Sequence, residues 1–456
     1  MGTNTIILLF ILLRLGNLNF YHIIMEGVII SLAILIFLSH LFSVMFVKTR
    51  IPEVLPLLIL GIILGPVLHI VSPADFGMVD QVFTRVLLIV ILFESGLGIR
   101  ISQIRSTWSQ SLQLTLASLA VILCVVAVLS KIVLGLHFAY AVILGAILAD
   151  NSFAIIIPLI SKLNISAPVK TVLLTESTIG GVISIVLTIT LLNMVKINSF
   201  DASLIIAKIL YTFVVSFLVG SAAAIFWTTV LTKVRKLENG IFLTLAFVLV
   251  VYSVCETLGS DGAIGAFIFG IVAGNIRTIR KLHGFKFIER FTMNVKSKAF
   301  NDTEKSFFGE VVFILRTFFF VYIGISMQIN SIFSMLCGLL FTAAIFLARI
   351  PTVNYIMEKQ ISRIDCAVTS IMVPKGLVTA VLASMVMQAG LPGGAILQNT
   401  IYCVILFSII FATVFSFLIE KGHTAKLTDF LFKRHRDFSV PGTQESKKSK
   451  AAAKSK

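Results

Sequence analysis

About thirteen apolar runs, each of helical length, follow one another through most of this 456-residue chain. A helix that crosses the hydrocarbon core of a bilayer needs roughly 20 predominantly apolar residues. Charged residues make up 13% of the chain, against about 25% in an average soluble domain. The sequence therefore excludes a soluble globular protein and predicts an all-α polytopic membrane protein. The runs occupy residues 27–47, 54–71, 82–99, 110–130, 138–160, 171–195, 203–231, 241–258, 262–276, 308–328, 332–357, 366–389 and 396–419.

Lysine and arginine are concentrated in every second connection between these runs. Cytoplasmic loops of membrane proteins carry an excess of these two residues, so the alternation predicts that the basic connections and the C-terminus are cytoplasmic. It also accounts for the excess of 37 basic over 21 acidic residues without a nucleic-acid partner. The basic connections contain Lys48 and Arg50, Arg100 and Arg105, Lys162 and Lys170, Lys233, Arg235 and Lys236, and a basic stretch from Arg277 to Lys305.

The two ends of the chain differ from the transmembrane domain, which we assign to residues 25–421. Residues 1–24 contain an apolar segment interrupted by Arg14. This segment is either an additional helix, for a total of about fourteen, or an artefact of the start site, because Met25 also begins a plausible chain. Residues 422–456 form a basic tail, and we expect its end, rich in Ser, Lys and Ala, to be disordered.

Asp150 lies inside an apolar run and is followed directly by Asn151 and Ser152. A charged side chain at mid-bilayer costs about 2.5–3.5 kcal/mol on insertion scales, so its presence indicates a functional site. The three side chains offer the oxygen ligands that a dehydrated alkali cation requires, and nearby Pro158 removes a backbone hydrogen bond. A helix interrupted at this depth must be buried in protein or line a cavity. The alternative is a polar kink that a neighbouring helix satisfies.

Three more charged residues lie within apolar runs: Glu176 in the next run, and Arg349 and Lys375 in the second half of the chain. The triplet Pro374-Lys375-Gly376 indicates a second interrupted helix, whose half-helix ends can face charged ligands. Two acids and two bases on interrupted helices are typical of a secondary transporter built from inverted repeats. Each residue also has an ordinary alternative, because Glu176 could end a helix and the two bases could extend to the membrane interface.

Several short stretches resemble, in their order and spacing, the monovalent cation/proton antiporter superfamily, which includes sodium/proton exchangers and Kef-type potassium/proton antiporters. The resemblance covers nearly the whole region from about Val28 to Phe417. It implies a dimerising panel of helices and a mobile core, with two broken helices that cross at the site and elevator-like alternating access. The stretches are Ile59–Pro66, Leu92–Gly98, Gly262–Asn275, Phe318–Ile325 and Pro374–Val378.

The resemblance also implies roles for individual residues. Glu176 and Ser177 match the family's Glu-Ser element, and Arg349 matches the basic residue that usually pairs with that glutamate to brace the core. Lys375 matches the basic position on the second broken helix. We therefore expect Glu176, Arg349 and Lys375 to form a structural ion pair or a gate.

Gly180 and Gly181 are the main departure from the family. Five residues after the glutamate, relatives carry an aspartate that binds both ion and proton, and a glycine side chain can do neither. On the first broken helix, Asn151 and Ser152 fall where relatives carry Thr-Asp or Thr-Ser, with Asp150 just before that pair. Three explanations stay open: Asp150 supplies the carboxylate in the space the glycines vacate, the glutamate titrates instead, or exchange has been lost. The glycines also suit close helix packing.

The leading functional hypothesis is exchange of sodium or potassium for protons. Asp150 and Glu176 are the candidate proton-binding residues, and Asp150, Asn151 and Ser152 are the candidate cation ligands. The cation would bind Asp150 transiently as a substrate, and no cofactor is expected. The resemblance implies a homodimer in the plasma membrane. Two alternatives are a channel-like or sensor relative that kept the fold, and an organic-anion symporter. The spans contain no HExxH, GxGD-type aspartate pair or Ser-His arrangement, so an intramembrane enzyme is not indicated.

Overall fold

The computed structural model describes residues 33–45, 51–76, 79–99, 107–197, 202–234, 240–281, 300–391 and 393–436, together with Ile30 and Ile101. Residues 1–24, which the sequence leaves ambiguous, and the Ser/Lys/Ala-rich end of the tail lie outside the described residues. The described part consists of helices and loops, with an isolated β-bridge between Ser362 and Arg436.

Helices account for most of the described residues. They are α1 (Ala33–Met45), α2 (Val54–Ile62), α3 (Val79–Gly98), α4 (Trp108–Val133), α5 (Phe138–Leu148), α6 (Phe153–Lys162), α7 (Ala167–Ile197), α8 (Ala202–Val234), α9 (Gly240–Thr257), α10 (Gly262–Lys281), α11 (Asp302–Ser326), α12 (Ile332–Ile356), α13 (Arg363–Ile371), α14 (Leu377–Gln388), α15 (Gly394–Glu420) and α16 (Ala425–Leu431). Helix α2 continues directly into a π-helical turn, Ile63–Val67. Two pairs, α5 with α6 and α13 with α14, are halves of interrupted helices.

Each apolar run of the sequence overlaps one of these helices or helix pairs. In the described part, eight helices are long and apolar enough to cross a membrane, and four shorter apolar helices accompany them. Large apolar side chains such as Phe37, Ile132 and Leu347 are exposed. Apolar surface of this extent requires lipid or protein cover. The chain is therefore an integral membrane protein.

The helices separate into two groups with few contacts between them. The core group contains α4 to α7 and α12 to α16, with α12 packed on α4 and α15. The panel group contains α2, α3 and α8 to α11, with α10 packed on α3 and α8. Contacts between the groups involve mainly α7 with α8 and α14 with α3 and α11. Both interrupted helices belong to the core group.

Glycines allow helices of the panel group to approach closely. A Cβ on Gly61 would lie 2.9 Å from the Cα of Gly324, where α2 meets α11. A Cβ on Gly96 would lie 2.9 Å from the backbone nitrogen of Ile271, where α3 meets α10. Small residues at such contacts are the usual means of close packing between membrane helices. Much of the glycine pattern behind the family resemblance therefore reflects packing in the panel group.

Candidate functional site

Two interrupted helices cross inside the core group. The first leaves the helical conformation at Asp150–Ser152, between α5 and α6, and the second at Met372–Gly376, between α13 and α14. The Pro-Lys-Gly triplet of the sequence thus marks the second interruption, as expected. Four helix ends meet at the crossing, so partial charges of both signs lie next to the side chains of the two interruptions.

Pro158 does not cause the first interruption, contrary to the sequence expectation. It lies inside α6, beyond the break. The helix instead opens where its backbone bonds across the crossing, because the Ser152 amide donates to the Pro374 carbonyl at 2.8 Å. Each interrupted helix therefore satisfies part of the backbone that the other leaves open, as a low-dielectric interior requires.

Gly376 lies directly against Ser152 at this crossing. A Cβ on Gly376 would stand 2.5 Å from the Ser152 Cβ and would overlap its hydroxyl oxygen. Overpacking of this kind costs about 1–3 kcal/mol. We expect Gly376→Ala to lower the melting temperature of the purified protein and Gly376→Ala with Ser152→Gly to recover most of the loss. Gly309→Ala is the control, because no atom lies within 4 Å of a Cβ there. An unchanged melting temperature for Gly376→Ala would contradict the close crossing.

Lys375 is completely buried, so its alternative as an interfacial residue is wrong. Its Nζ donates to the carbonyl oxygen of Asp150 at 2.8 Å and to Oδ1 of Asn151 at 3.0 Å. Its backbone amide donates to the Ser408 hydroxyl on α15 at 2.9 Å. The ammonium thus caps the C-terminal end of α5, where unpaired carbonyls carry partial negative charge. It also turns the amide oxygen of Asn151 toward itself.

Asp150 lies between α7 and the first turn of α14 and is 2% exposed. Its Oδ2 accepts a hydrogen bond from the Thr379 hydroxyl at 3.2 Å. Its Oδ1 lies 3.0 Å from the position that a Cβ on Gly181 would occupy. Gly180 has a different neighbour, since a Cβ there would meet the Thr115 methyl group at 3.8 Å. The carboxylate of Asp150 therefore occupies the space beside Gly181, and Gly180 faces α4.

Glu176 and Arg349 form a buried, two-pronged ion pair between α7 and α12. The guanidinium nitrogens Nη1 and Nη2 each lie 2.6 Å from a carboxylate oxygen, and both side chains are at most 2% exposed. Arg349 also donates to the Ser118 hydroxyl on α4, and the Asn151 amide donates to Glu176 at 3.4 Å. The predicted pairing is present, and the alternatives of a helix-end carboxylate and an interfacial arginine are wrong. Both residues lie in continuous helices, so the prediction that they belong to interrupted helices is also wrong.

A cavity of about 390 Å³ leads to Asp150 from the face at which α11 begins. It is lined by Asp150, Ser152 and Glu94, and an ion pair between Glu53 and Arg316 lies in its wall. Asn151 and Ser177 also line it. An aqueous route to a buried carboxylate is what proton or cation access requires.

Three residues that line the cavity or neighbour Asp150 were not predicted from the sequence: Glu94, Arg316 and Thr379. Glu94 belongs to the stretch Leu92–Gly98, which resembles the family, and this was the available signal. Thr379 carried no signal, because a threonine in an apolar run is common. Arg316 is brought to the cavity by packing of α11 against α2, which no local pattern shows.

Two adjoining cavities of about 270 Å³ each lie on the face opposite to the cavity that reaches Asp150, near the C-terminal ends of α7 and α14. Their walls come from both helix groups. Asn193 and Gln388 belong to the core group, and Arg85 and Glu256 belong to the panel group, with Asp261 at the start of α10. Polar groups thus line the boundary between the groups on this face as well.

A sequence profile described as the transmembrane region of sodium/hydrogen exchangers matches residues 31–421. The chain belongs to the sodium/hydrogen exchanger family. This membership confirms the resemblance to the monovalent cation/proton antiporter superfamily, and it covers both interrupted helices and the Glu176–Arg349 pair.

Among curated relatives, this exchanger-family protein is 23% identical over 393 residues to the K(+)/H(+) antiporter NhaP2 of Shewanella sp. (strain ANA-3). That match covers 83% of this chain and 64% of the relative. It is 25% identical over 309 residues to the low-affinity Na(+)/H(+) antiporter NhaS1 of Synechocystis sp. (strain ATCC 27184 / PCC 6803 / Kazusa), covering 65% and 54%. The chain thus spans less than two thirds of the length of these relatives.

The fold of this exchanger-family protein is shared with a solved structure. The sodium proton antiporter MjNhaP1 from Methanocaldococcus jannaschii superimposes with a TM-score of 0.67 at 20% identity, covering 88% of this chain and 97% of that one. At this level of identity the match establishes a common fold, and the chemistry must be argued from the residues.

Proposed function

We propose that this protein is a secondary transporter that exchanges sodium or potassium for protons by alternating access. One observation carries the proposal: the buried carboxylate of Asp150 lies beside Gly181 and at the end of an open cavity. Family relatives place their ion-binding aspartate at the position of Gly181, so a carboxylate is retained in the same space although it comes from another helix. This favours exchange over a relative that has lost it.

Asp150 holds either a proton or a cation in this proposal, and the two exclude each other because they share one carboxylate. Ser152 and Asn151 border the same cavity and would supply further oxygen ligands. The side-chain oxygen of Asn151 already accepts from Lys375, so this ligand is available only when that bond opens. The cation is a substrate that binds transiently.

Glu176 serves a structural role in this proposal. Both of its oxygens are held by Arg349, and protonation would leave a buried guanidinium without its counter-charge. Lys375 is the second positive charge near Asp150, to whose carbonyl it is bonded. We assign Lys375 to gating, because movement of α13 relative to α5 would move its ammonium toward or away from the site.

Alternating access is supported by the division into two helix groups. The cavity that reaches Asp150 opens on one face, and the cavities lined by Asn193 and Asp261 lie at the boundary of the two groups on the other. A shift of the core group against the panel group would exchange the two routes. The start of α13 lies beside the loop that follows α6, because Asp365 accepts from the Ser166 amide, so α5 begins at the face opposite to α13. This arrangement supports a transporter built from inverted repeats.

We propose that the protein lies in the plasma membrane with its C-terminus in the cytoplasm. The alternation of basic connections supports this orientation, and it makes the open cavity face the cytoplasm. A homodimer through the panel group follows from the resemblance to the superfamily. Exchange of cations for protons in this orientation would serve pH homeostasis.

The test is transport by the purified protein in proteoliposomes with an imposed pH gradient. A lumenal pH dye is followed as sodium, potassium, lithium or, as the control, choline is added. We expect sodium or potassium to collapse the gradient and choline to leave it intact. A gradient that no alkali cation changes at any pH tested would overturn the exchange proposal. Cation flux without proton movement would instead indicate a channel.

A further inference from the structure

The tail folds back on the core group just after α15. Helix α16 and the residues that follow it bring Phe432 and His435 into buried positions, 2% and 3% exposed. At Arg436 the chain bonds to the start of α13: Arg363 N donates to Arg436 O at 3.1 Å, and Arg436 N donates to Ile361 O at 3.3 Å. We call residues 425–436 the C-terminal latch. The docking of this segment was not predicted from the sequence, which indicates only that the tail is basic.

Side chains strengthen the same attachment. The Arg363 guanidinium donates to the carbonyl of His435 at 3.2 Å and pairs with Asp429 at 3.1 Å. At the other side of the helix start, Asp365 accepts from the amide of Ser166, in the loop that follows α6, at 3.2 Å. The latch therefore holds the end of α13 that lies farthest from Lys375.

His435 is the buried titratable group of the latch, and its two ring nitrogens face two carbonyl oxygens. Nδ1 lies 3.1 Å from the carbonyl of Glu358, and Nε2 lies 3.3 Å from the carbonyl of Asn354. A carbonyl oxygen can only accept, and a neutral imidazole has one donor nitrogen and one acceptor nitrogen. Both contacts are hydrogen bonds only when the ring carries two protons.

We propose that the latch is a proton-operated clamp between the end of α12, which the His435 ring contacts, and the start of α13, which the latch backbone contacts; it is closed when His435 is an imidazolium and loosened when the ring loses a proton. Loss of that proton turns a donor into a lone pair aimed at a carbonyl, which removes one charge-assisted bond and adds repulsion. Docking of the latch is therefore favoured at low pH and weakens as the pH rises. Histidine is the side chain whose charge ordinarily changes in the physiological range.

The pH dependence of latch docking is attributed to the two carbonyl oxygens and not to neighbouring charged groups. Basic residues outnumber acidic ones around His435, so an excess of negative charge is not what holds the ring. The charged groups on the elements packed against His435 are Glu358 and Lys359 in the loop after α12, Arg363 and Asp365 at the start of α13, Lys426 and Asp429 of α16, and Lys433, Arg434 and Arg436 after α16.

The clamp bears on transport because α13 ends at the crossing. With α13 fixed at its far end, Lys375 keeps its bonds to Asp150 O and Asn151. With the latch loosened, the helix can shift, and the site is less well organised for the cation. This consequence rests on the proposed exchange function. Opening and closing of the latch itself does not.

Hydrogen–deuterium exchange of the full-length protein in lipid nanodiscs tests the latch without any transport assay. Labelling times are rescaled for the intrinsic pH dependence of amide exchange. We expect protection of residues 425–436 to fall roughly ten-fold between about pH 6 and about pH 8.5, the effect of one charge-assisted hydrogen bond. His435→Gln is expected to show the low protection at both pH values. His423→Gln, at an exposed histidine of the same region, is expected to behave as wild type.

Protection in the wild type that does not change with pH would overturn the proposal, as would a His423→Gln protein that loses the pH dependence. The wild-type comparison needs no variant, so the test holds even if His435→Gln fails to fold. In proteoliposomes, proton competition at Asp150 lowers the apparent KM for the cation with rising pH in both proteins, so the latch is read from the comparison of the two. We expect the KM of His435→Gln to exceed that of the wild type at about pH 6 and to equal it at about pH 8.5. A wild type that shows no exchange but a pH-dependent latch would overturn the proposed function and leave the latch standing.

Discussion

Asp150→Asn is expected to reduce cation-dependent proton movement to the background of empty liposomes. Asparagine keeps the size of the side chain and can still bond to the Thr379 hydroxyl, so the fold should be preserved. It cannot take up a proton or provide a negative charge for the cation, and the exchange cycle then has no shared site. The measurement is dequenching of a lumenal pH dye in proteoliposomes, with equal reconstitution confirmed by protein assay.

Asp75→Asn is the matched control, because this substitution makes the same chemical change at an exposed residue. A second variant moves the carboxylate instead of removing it. Asp150→Ala empties the space next to α7, and Gly181→Asp in the same chain refills it from the position at which the family resemblance implies an aspartate. We expect the double variant to recover part of the activity that Asp150→Ala loses. Full exchange by Asp150→Asn would contradict the role of Asp150 and point to another titrating carboxylate.

Glu176→Gln is expected to destabilise the protein by about 3–5 kcal/mol, since it leaves the Arg349 guanidinium buried without its counter-charge. Arg349→Met should destabilise the protein by a similar amount, because it leaves the Glu176 carboxylate buried without its counter-charge. The double variant Glu176→Gln with Arg349→Met removes both charges, so it should be more stable than either single variant. The measurement is the melting temperature of detergent-purified protein, followed by size-exclusion chromatography after heating.

Asp429→Asn provides the control for this series. It breaks the ion pair with Arg363, in which Asp429 is 55% exposed, and exposed pairs contribute roughly 0–1 kcal/mol. Losses that simply add in the Glu176 and Arg349 double variant would show that the two residues do not act as a pair. Loss of transport with an unchanged melting temperature in Glu176→Gln would instead assign Glu176 a direct part in proton binding.

The charged residues of the candidate site could be predicted from the sequence, but their arrangement could not. Asp150, Glu176, Arg349 and Lys375 were identifiable because a charge in an apolar run is costly wherever the run is placed. The Glu176–Arg349 pairing followed from the family resemblance. The arrangement of side chains around these residues could not be predicted from the sequence. Asn151 directs its amide oxygen to Lys375 and its amide nitrogen to Glu176, and these partners come from distant parts of the chain.

The first interruption is a clear failure of local reasoning. Pro158 is the residue that a local argument selects, because proline removes a hydrogen bond within its own helix. The helix opens earlier, at Asp150–Ser152, since the Ser152 amide finds a carbonyl on the other interrupted helix. The second interruption was predicted correctly because the proline and glycine of its triplet lie within the opening itself.

The sequence by itself determined that the chain is a helical membrane protein, where its apolar helices lie and which charged residues those helices contain. Those properties depend on the cost of placing each residue in lipid, which is local. Only the tertiary structure decided that Gly181 and not Gly180 faces Asp150, that Glu94 shares its cavity, and that His435 docks against the end of α12. Those properties depend on how helices far apart in the chain pack together, and packing is decided by the whole core at once.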